Sequence, residues 1–367
     1  MSVNNKISVV IASCHPTSKG GISTWVRLLQ KRLSYDDRVS ADFLYPAYCG
    51  SREVAAVRRT FFHRIVLNLF AMFKCLKEFK NLIRARKPNV LHITTSGSLA
   101  LLRDILFLRV SKRNGLRTIY HIRFGRIPSC YHSKNYEWLL FRYAIKYVDC
   151  VIAIDHSTER LLKSNFPNKK IMYIPNFIDD SIVVEKKQDQ PVCSSVVFIG
   201  WCVRTKGVEE LLLAWEKIVK KHPNHSLLIV GPCSEMYKNK LLEDFSMQNV
   251  VLLGEKGHRE TLEILRSAEV FVLPSYTEGF PNVILEAMLM SRPIVASNVG
   301  AIPDMLEGCG LVVKSRDVES LYNALDRLLS DSDLRQELGL LAKAKLDSNY
   351  RTEIVYEQYF SVWTMNS

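Results

Sequence analysis

LPSYTEGFPNVILEAMLMSRPIVASNVGAIPDML occupies residues 273–306. It leaves an apolar strand (Val270 to Leu273), crosses a polar loop holding Glu278 and Gly279, enters a helix, and returns as a second apolar strand at Ile294 to Ser297. Pro281 suits the first turn of a helix, where a missing backbone N–H costs nothing, so the spacing predicts a helix start at Gly279 to Pro281. A helix start preceded by glycine combines unsatisfied donors with roughly half a positive charge of dipole, which suits an anion. Glu278 and Glu286 stand with seven residues between them, one in the loop and one in the helix. Such carboxylates can accept hydrogen bonds from ligand hydroxyls; the plainer alternative is two surface glutamates, one of them favoured by the helix dipole.

Outward from this run the chain alternates strands and helices. Upstream, FIGWCVRTKGVEELLLAW (residues 198–215) is the end of a strand, a loop and an amphipathic helix, with Gly200, Arg204 and Lys206 in the loop. Further strands read at Leu227 to Gly231, Val250 to Gly254 and Leu311 to Val313, and helices continue from Val318. In the first half, apolar runs at Ile7 to Ser13, Ala41 to Tyr45, Val90 to Thr94, Thr118 to His121, Cys150 to Ile154 and Ile171 to Ile174 are separated by helical segments, the first of them entered through Gly20 and Gly21. Apolar strands separated by helices imply mainly parallel sheets covered on both faces. At 367 residues the chain suits two domains of about 150 to 200 residues. The polar stretch EKKQDQP ending at Pro191 reads as the join. The expected organisation is a first domain over 1–180, a linker over 181–192, a second domain over 193–349, and a terminal helix over 350–367 returning to the first. The fold class expected is α/β, two doubly wound Rossmann-like domains facing across a cleft.

Hydrophobic residues at 47% and charged residues at 24% are ordinary values, which argues against disorder. The net charge of +13 favours polyanionic partners without choosing among nucleic acid, anionic lipid and phosphate-bearing substrates. The nine cysteines lie scattered without zinc spacing and read as reduced structural thiols of a cytoplasmic protein. No run approaches the roughly 18 apolar residues of a membrane span. The lone D-x-D, Asp331 to Asp333, introduces a helix and reads as its N-cap, so no metal site is expected. Between Arg52 and Lys87 ten basic residues face only Glu53 and Glu78 and are interleaved with phenylalanines. That pattern suits a helix lying on an anionic leaflet, or an ordinary helix with a solvated charged face.

The quoted runs, followed by GLVV at Gly310 to Val313 and preceded by HITTSG, His121 and IPNFID in the first half, resemble the retaining glycosyltransferases of the GT-B fold, family 4. The resemblance spans nearly the whole chain. It implies a nucleotide-sugar donor held by Gly20, Gly21, Gly200, Arg204, Lys206, Gly279, Phe280, Pro281, Asn282 and Glu286, with Glu286 on the ribose. It also implies catalytic places near the donor sugar for His121 and Glu278, a UDP-sugar ahead of a GDP-sugar, and no cofactor or metal. In the family an arginine directly follows the glycine of the Gly200 loop, and here Trp201 stands there, so Arg204 is displaced while Lys206 matches. Arg123 and Arg126 suit either an acceptor phosphate or a solvated loop. The expected activity is transfer to a hydroxyl of a glycan or lipid-linked acceptor in bacterial surface polysaccharide assembly, on the inner face of the cytoplasmic membrane. A nucleotide-sugar epimerase of related fold is the rival enzyme reading. A nucleic-acid-binding protein is the third, and no nucleic-acid-binding signature supports it.

Overall fold

The computed structural model describes residues 6–18, 20–46, 61–179, 182 and 194–365, with side chains in 61–69 excluded. Apart from Ile182, the expected linker lies outside the described residues. The chain divides into two compact units, Met1–Asn176 with Thr352–Ser367, and Phe177–Arg351. The first break thus falls at Asn176, a few residues before the expected 180.

The first unit carries a six-stranded parallel sheet of β1 (Ile7–Ala12), β2 (Val39–Leu44), β3 (Val90–Thr95), β4 (Arg117–Ile122), β5 (Cys150–Ala153) and β6 (Lys170–Tyr173), in the order β2-β1-β3-β4-β5-β6. The helices between strands are α1 (Gly21–Leu33), α2 (Phe61–Arg86), α3 (Ala100–Arg113), α4 (Ile127–Ser133), α5 (Tyr136–Ile145) and α6 (His156–Asn165). On one face Leu91, Ile93, Tyr120 and Ile122 pack with Phe79 of α2, Phe107 of α3 and Phe141 of α5 into one apolar core. Each such side chain contributes about 1.5–3 kcal/mol by leaving water. The opposite face is different, because His92 and His121 are fully buried there among aromatic rings.

The second unit has strands β7 (Ser195–Ile199), β8 (Ser226–Val230), β9 (Val250–Gly254), β10 (Val270–Leu273), β11 (Ile294–Ser297) and β12 (Leu311–Val313), all parallel, in the order β12-β11-β10-β7-β8-β9. Its helices are α7 (Val208–Lys221), α8 (Glu235–Asp244), α9 (His258–Ser267), α10 (Asn282–Leu289), α11 (Ile302–Leu306), α12 (Val318–Ser330) and α13 (Ser332–Asn349). α7 shows why they form: Val208, Leu211, Leu212, Trp215, Ile218 and Val219 recur at helical spacing and are buried, with Glu209 and Glu210 in the first turn and Lys220 and Lys221 in the last. Asp331 caps α13, accepting from the Leu334 N–H at 2.9 Å, which is the role expected of the D-x-D. The final helix, α14 (Thr352–Thr364), is counted in the first unit.

The strand order of the second sheet reverses between β7 and β10. In an open parallel sheet, the helices that follow the two strands at such a reversal leave on opposite faces, and a crevice opens beyond their carboxyl ends. The loops there run from Gly200 to Gly207 and from Pro274 to Pro281. The first sheet reverses likewise between β1 and β3.

Candidate active site

Two glycines set the Gly200–Gly207 loop. Gly231 has φ 141°, and a Cβ there would meet the Gly200 carbonyl oxygen at 1.8 Å, so the β8 turn rests directly on Gly200. Arg204–Lys206 form a single 3-10 turn closed by Gly207 at φ 72°, where a Cβ would meet the Pro274 oxygen at 2.0 Å. The Tyr276 N–H donates to Thr205 O at 2.9 Å, joining this turn to the loop that follows β10. Contact between the two loops brings Lys206 Nζ to 2.5 Å from Glu278 Oε1, and Ser275 Oγ donates to the same oxygen at 2.7 Å. Both charged side chains keep some exposure, 26% for Lys206 and 12% for Glu278. Among the described residues Glu278 Oε2 has no partner.

The Glu278 backbone is fixed from the other side by the turn after β11. Gly300 has φ 56°, a Cβ there would meet Glu278 O at 2.3 Å, and the Ala301 N–H donates to Gly279 O at 2.9 Å. The helix start expected at Gly279 to Pro281 is corrected: α10 begins at Asn282, and Pro281 is its N-cap with an extended ψ of 116°. A residue preceding proline avoids the helical region, which keeps Phe280 and Gly279 in the loop. The Phe280 ring is buried and meets Tyr350 edge-on at 5.6 Å, so its side chain holds the loop down. Glu286 lies one turn into α10, and its Oε1 is 2.9 Å from Nε2 of the exposed His258 at the start of α9. Arg204, 72% exposed, places its Nε 3.5 Å from Glu209 Oε2 and also bonds Tyr276 of the loop after β10.

In the first unit, Gly20 precedes α1 at φ 134°, a conformation suited to glycine, and Gly21 is the first helical residue. His121 on β4 and His92 on β3 are on one sheet face, since His92 pairs with Ile119 two residues before His121. His92 Nε2 lies 3.1 Å from His121 Nδ1, and Trp363 of α14 donates its indole N–H to His92 Nδ1 at 3.0 Å. Trp25 and Tyr359 enclose the pair. Burial, with the Arg123 charge second, holds both imidazoles well below the ordinary histidine value, His92 at about 3. The two arginines that sequence alone could not separate now differ. Arg126 is tied to Glu137 at 2.9 Å, Ser98 Oγ at 2.9 Å and Ser96 O at 3.2 Å, and it clamps a loop. Arg123 is buried over the Trp25 ring at 4.9 Å with no carboxylate partner among the described residues.

Residues 193–331 match the family described as Glycosyl transferases group 1, and residues 19–182 match Glycosyltransferase Family 4. The chain belongs to the family 4, or group 1, glycosyltransferases. Among its relatives is the capsular polysaccharide biosynthesis glycosyltransferase CapM of Staphylococcus aureus, 26% identical over 265 residues, 67% of this chain and 69% of CapM. In fold this glycosyltransferase is similar to a sucrose-phosphate synthase from Thermosynechococcus elongatus (TM-score 0.74, 19% identity, 97% of this chain and 98% of that one). It is similar also to Anabaena HepE solved with UDP (TM-score 0.71, 16% identity, 97% and 99%). The shared fold is GT-B, with two Rossmann-like domains.

For this glycosyltransferase, the structure gathers Gly200, Lys206, Glu278 and Gly279 at the reversal point of the second sheet, with Asn282 and Glu286 on the helix beyond. Gly20, Gly21 and His121 belong to the other unit. Sequence reasoning missed Ser275 and His258, which bind the two glutamates, and His92 and Trp363 behind His121. It also missed the supporting glycines 207, 231 and 300. Gly300 had a signal, a glycine three residues past a strand end in the very run that identifies the loop. Among the described residues no cluster of three or more metal-ligating side chains occurs, and no helix is long and apolar enough to cross a membrane.

Proposed function

We propose that this glycosyltransferase moves a sugar from a nucleoside-diphosphate-sugar donor, with UDP as the nucleotide of choice, to a hydroxyl of a lipid-linked glycan in bacterial surface polysaccharide assembly. The observation that carries the donor site is the Lys206–Glu278 pair at the β7/β10 reversal. A lysine held there by a carboxylate is a compact cation ready for a diphosphate. When the ligand arrives, Lys206 exchanges Glu278 for phosphate oxygens, and Glu278 turns to the donor sugar. Glu286 exchanges His258 for the ribose hydroxyls, accepting two hydrogen bonds worth about 1.5–3 kcal/mol each.

Retention of anomeric configuration follows from front-face attack. The acceptor oxygen bonds to the anomeric carbon as the bond to the diphosphate oxygen breaks, and the departing phosphate takes the acceptor's proton. No protein nucleophile or metal is required; Lys206 stabilises the charge that develops on the leaving group. His121, neutral because of its burial, donates to a sugar hydroxyl without adding repulsive charge. The capsular role in CapM's name and the UDP bound by HepE support the pathway and the donor base. Membrane contact is supported by α2, whose Met72, Cys75, Phe79 and Ile83 pack inward while Phe70 and Phe73 stand exposed beside Lys74 and Lys77.

Incubation with UDP-sugars in the presence and absence of a lipid-linked glycan tests the proposal. A new glycosylated lipid with the donor's anomeric configuration is the expected product. An epimerised sugar nucleotide formed from donor alone would overturn it.

A further inference from the structure

The buried group behind His121 contains one hydrogen too many. It has three polar contacts in a row: Trp363 Nε1 to His92 Nδ1 at 3.0 Å, His92 Nε2 to His121 Nδ1 at 3.1 Å, and His121 Nε2 to Arg123 Nη1 at 3.3 Å. Indole and guanidinium nitrogens can only donate, and a neutral imidazole carries a single N–H. Trp363, His92, His121 and Arg123 therefore bring four hydrogens to three contacts, each of which accommodates one. Protonating either imidazole adds a fifth and makes the mismatch worse.

The excess falls on the longest contact. Trp363 requires His92 Nδ1 to accept, so the His92 hydrogen is on Nε2 and is donated to His121 Nδ1. His121 must then carry its own hydrogen on Nε2, pointing at the Arg123 N–H. Two donors thus face one another with no acceptor between them, His121 fully buried and Arg123 at 8% exposure.

We infer that Trp363 and His92 are positioning residues that lock His121 as the Nε2–H tautomer, leaving its N–H and the facing Arg123 N–H to be satisfied together by a lone-pair oxygen of the ligand. A sugar hydroxyl accepting from both is the ligand group this geometry fits. The inference rests on the reading of His121 as facing the donor sugar, and it adds the means by which a helix at the far end of the chain sets the direction of that hydrogen bond.

Trp25 supplies the control. Its indole packs on both imidazoles, with ring centroids 5.5 Å from His92 and 5.2 Å from His121, but its N–H goes to Tyr359 Oη at 3.2 Å. Trp25→Phe therefore disturbs the packing without removing a hydrogen from the three contacts of the row, although the Tyr359 hydroxyl it frees also bonds Arg123. Trp363→Phe removes one hydrogen: His121 can then place its own on Nδ1 for His92 and accept from Arg123 on Nε2.

The test is ¹⁵N-histidine NMR of the full chain, reading imidazole tautomers through two-bond couplings. The expected result is Nε2–H at His121 in the wild type and in Trp25→Phe, and a shift toward Nδ1–H in Trp363→Phe, with kcat/KM reduced about tenfold, the worth of one hydrogen bond. Wild-type Nδ1–H at His121, or an unchanged tautomer in Trp363→Phe, overturns the inference; the wild-type spectrum alone decides the first point should the variant fail to fold. Addition of a UDP-sugar separates the two readings. If the tautomers are as expected but the His121 resonances do not move at saturating donor, the sugar-facing role fails while the relay stands.

Discussion

Lys206 and Glu278, 72 residues apart, meet at 2.5 Å because two loops from adjacent strands are tied to each other by backbone. The pair sits where the order of the second sheet reverses, and the glycines at 207 and 300 allow the close approaches that aim it.

Gly207→Ala should loosen that tie. An alanine at φ 72° costs about 1–2 kcal/mol from backbone conformation alone, and its Cβ is driven into Pro274 O. Urea unfolding should show a loss of at least that size, and donor KM should rise with it. Gly257→Ala, with open space around its Cβ, should cost less than half as much.

Glu286→Ala should weaken nucleoside-diphosphate binding by two lost hydrogen bonds, roughly a hundredfold or more. His258→Ala should leave binding within a few-fold, because the nucleotide replaces the histidine as partner of Glu286. Isothermal titration of both variants checks this, and equal losses would place His258 in the ligand site.

Acid lability should come partly from the buried histidines. Their pKa values are lowered in the folded protein, so the unfolded chain binds more protons and stability rises with pH. For His92 the loss begins as pH falls through about 6.5 and continues toward about 3. Between pH 6.5 and 5.5, above the carboxylate range, the slope should approach about 1.4 kcal/mol per pH unit for each histidine. His92→Gln should flatten it by about half in denaturant titrations.

The outer face of α2 predicts vesicle binding. Flotation with anionic vesicles should recover the protein at low salt, with each cation near the surface contributing about 1 kcal/mol. Phe70→Ser with Phe73→Ser should reduce recovery without shifting Tm, since both rings are exposed, at 70% and 59%. Equal recovery on neutral vesicles would rule out the electrostatic part.

Most strands were legible because a parallel strand covered on both faces is a largely apolar run, while β2, VSADFL, carries Ser40 and Asp42 and is only partly buried. The helix after Glu278 was placed one to three residues early, since Pro281 was read as a first-turn residue when its extended ψ makes it the cap. Glu278 and Lys206 were legible through their motifs. His258, His92 and Trp363 were not, because their partners lie 28 and 271 residues away and no local pattern encodes a meeting at that distance.

The donor site is tested most directly by calorimetric titration of UDP and GDP against the wild-type chain and Lys206→Met. A nucleoside diphosphate should bind the wild type, and Lys206→Met should lose at least tenfold in affinity with little change in folding stability. Undiminished binding by Lys206→Met, or no binding of either diphosphate to the wild type, would contradict it.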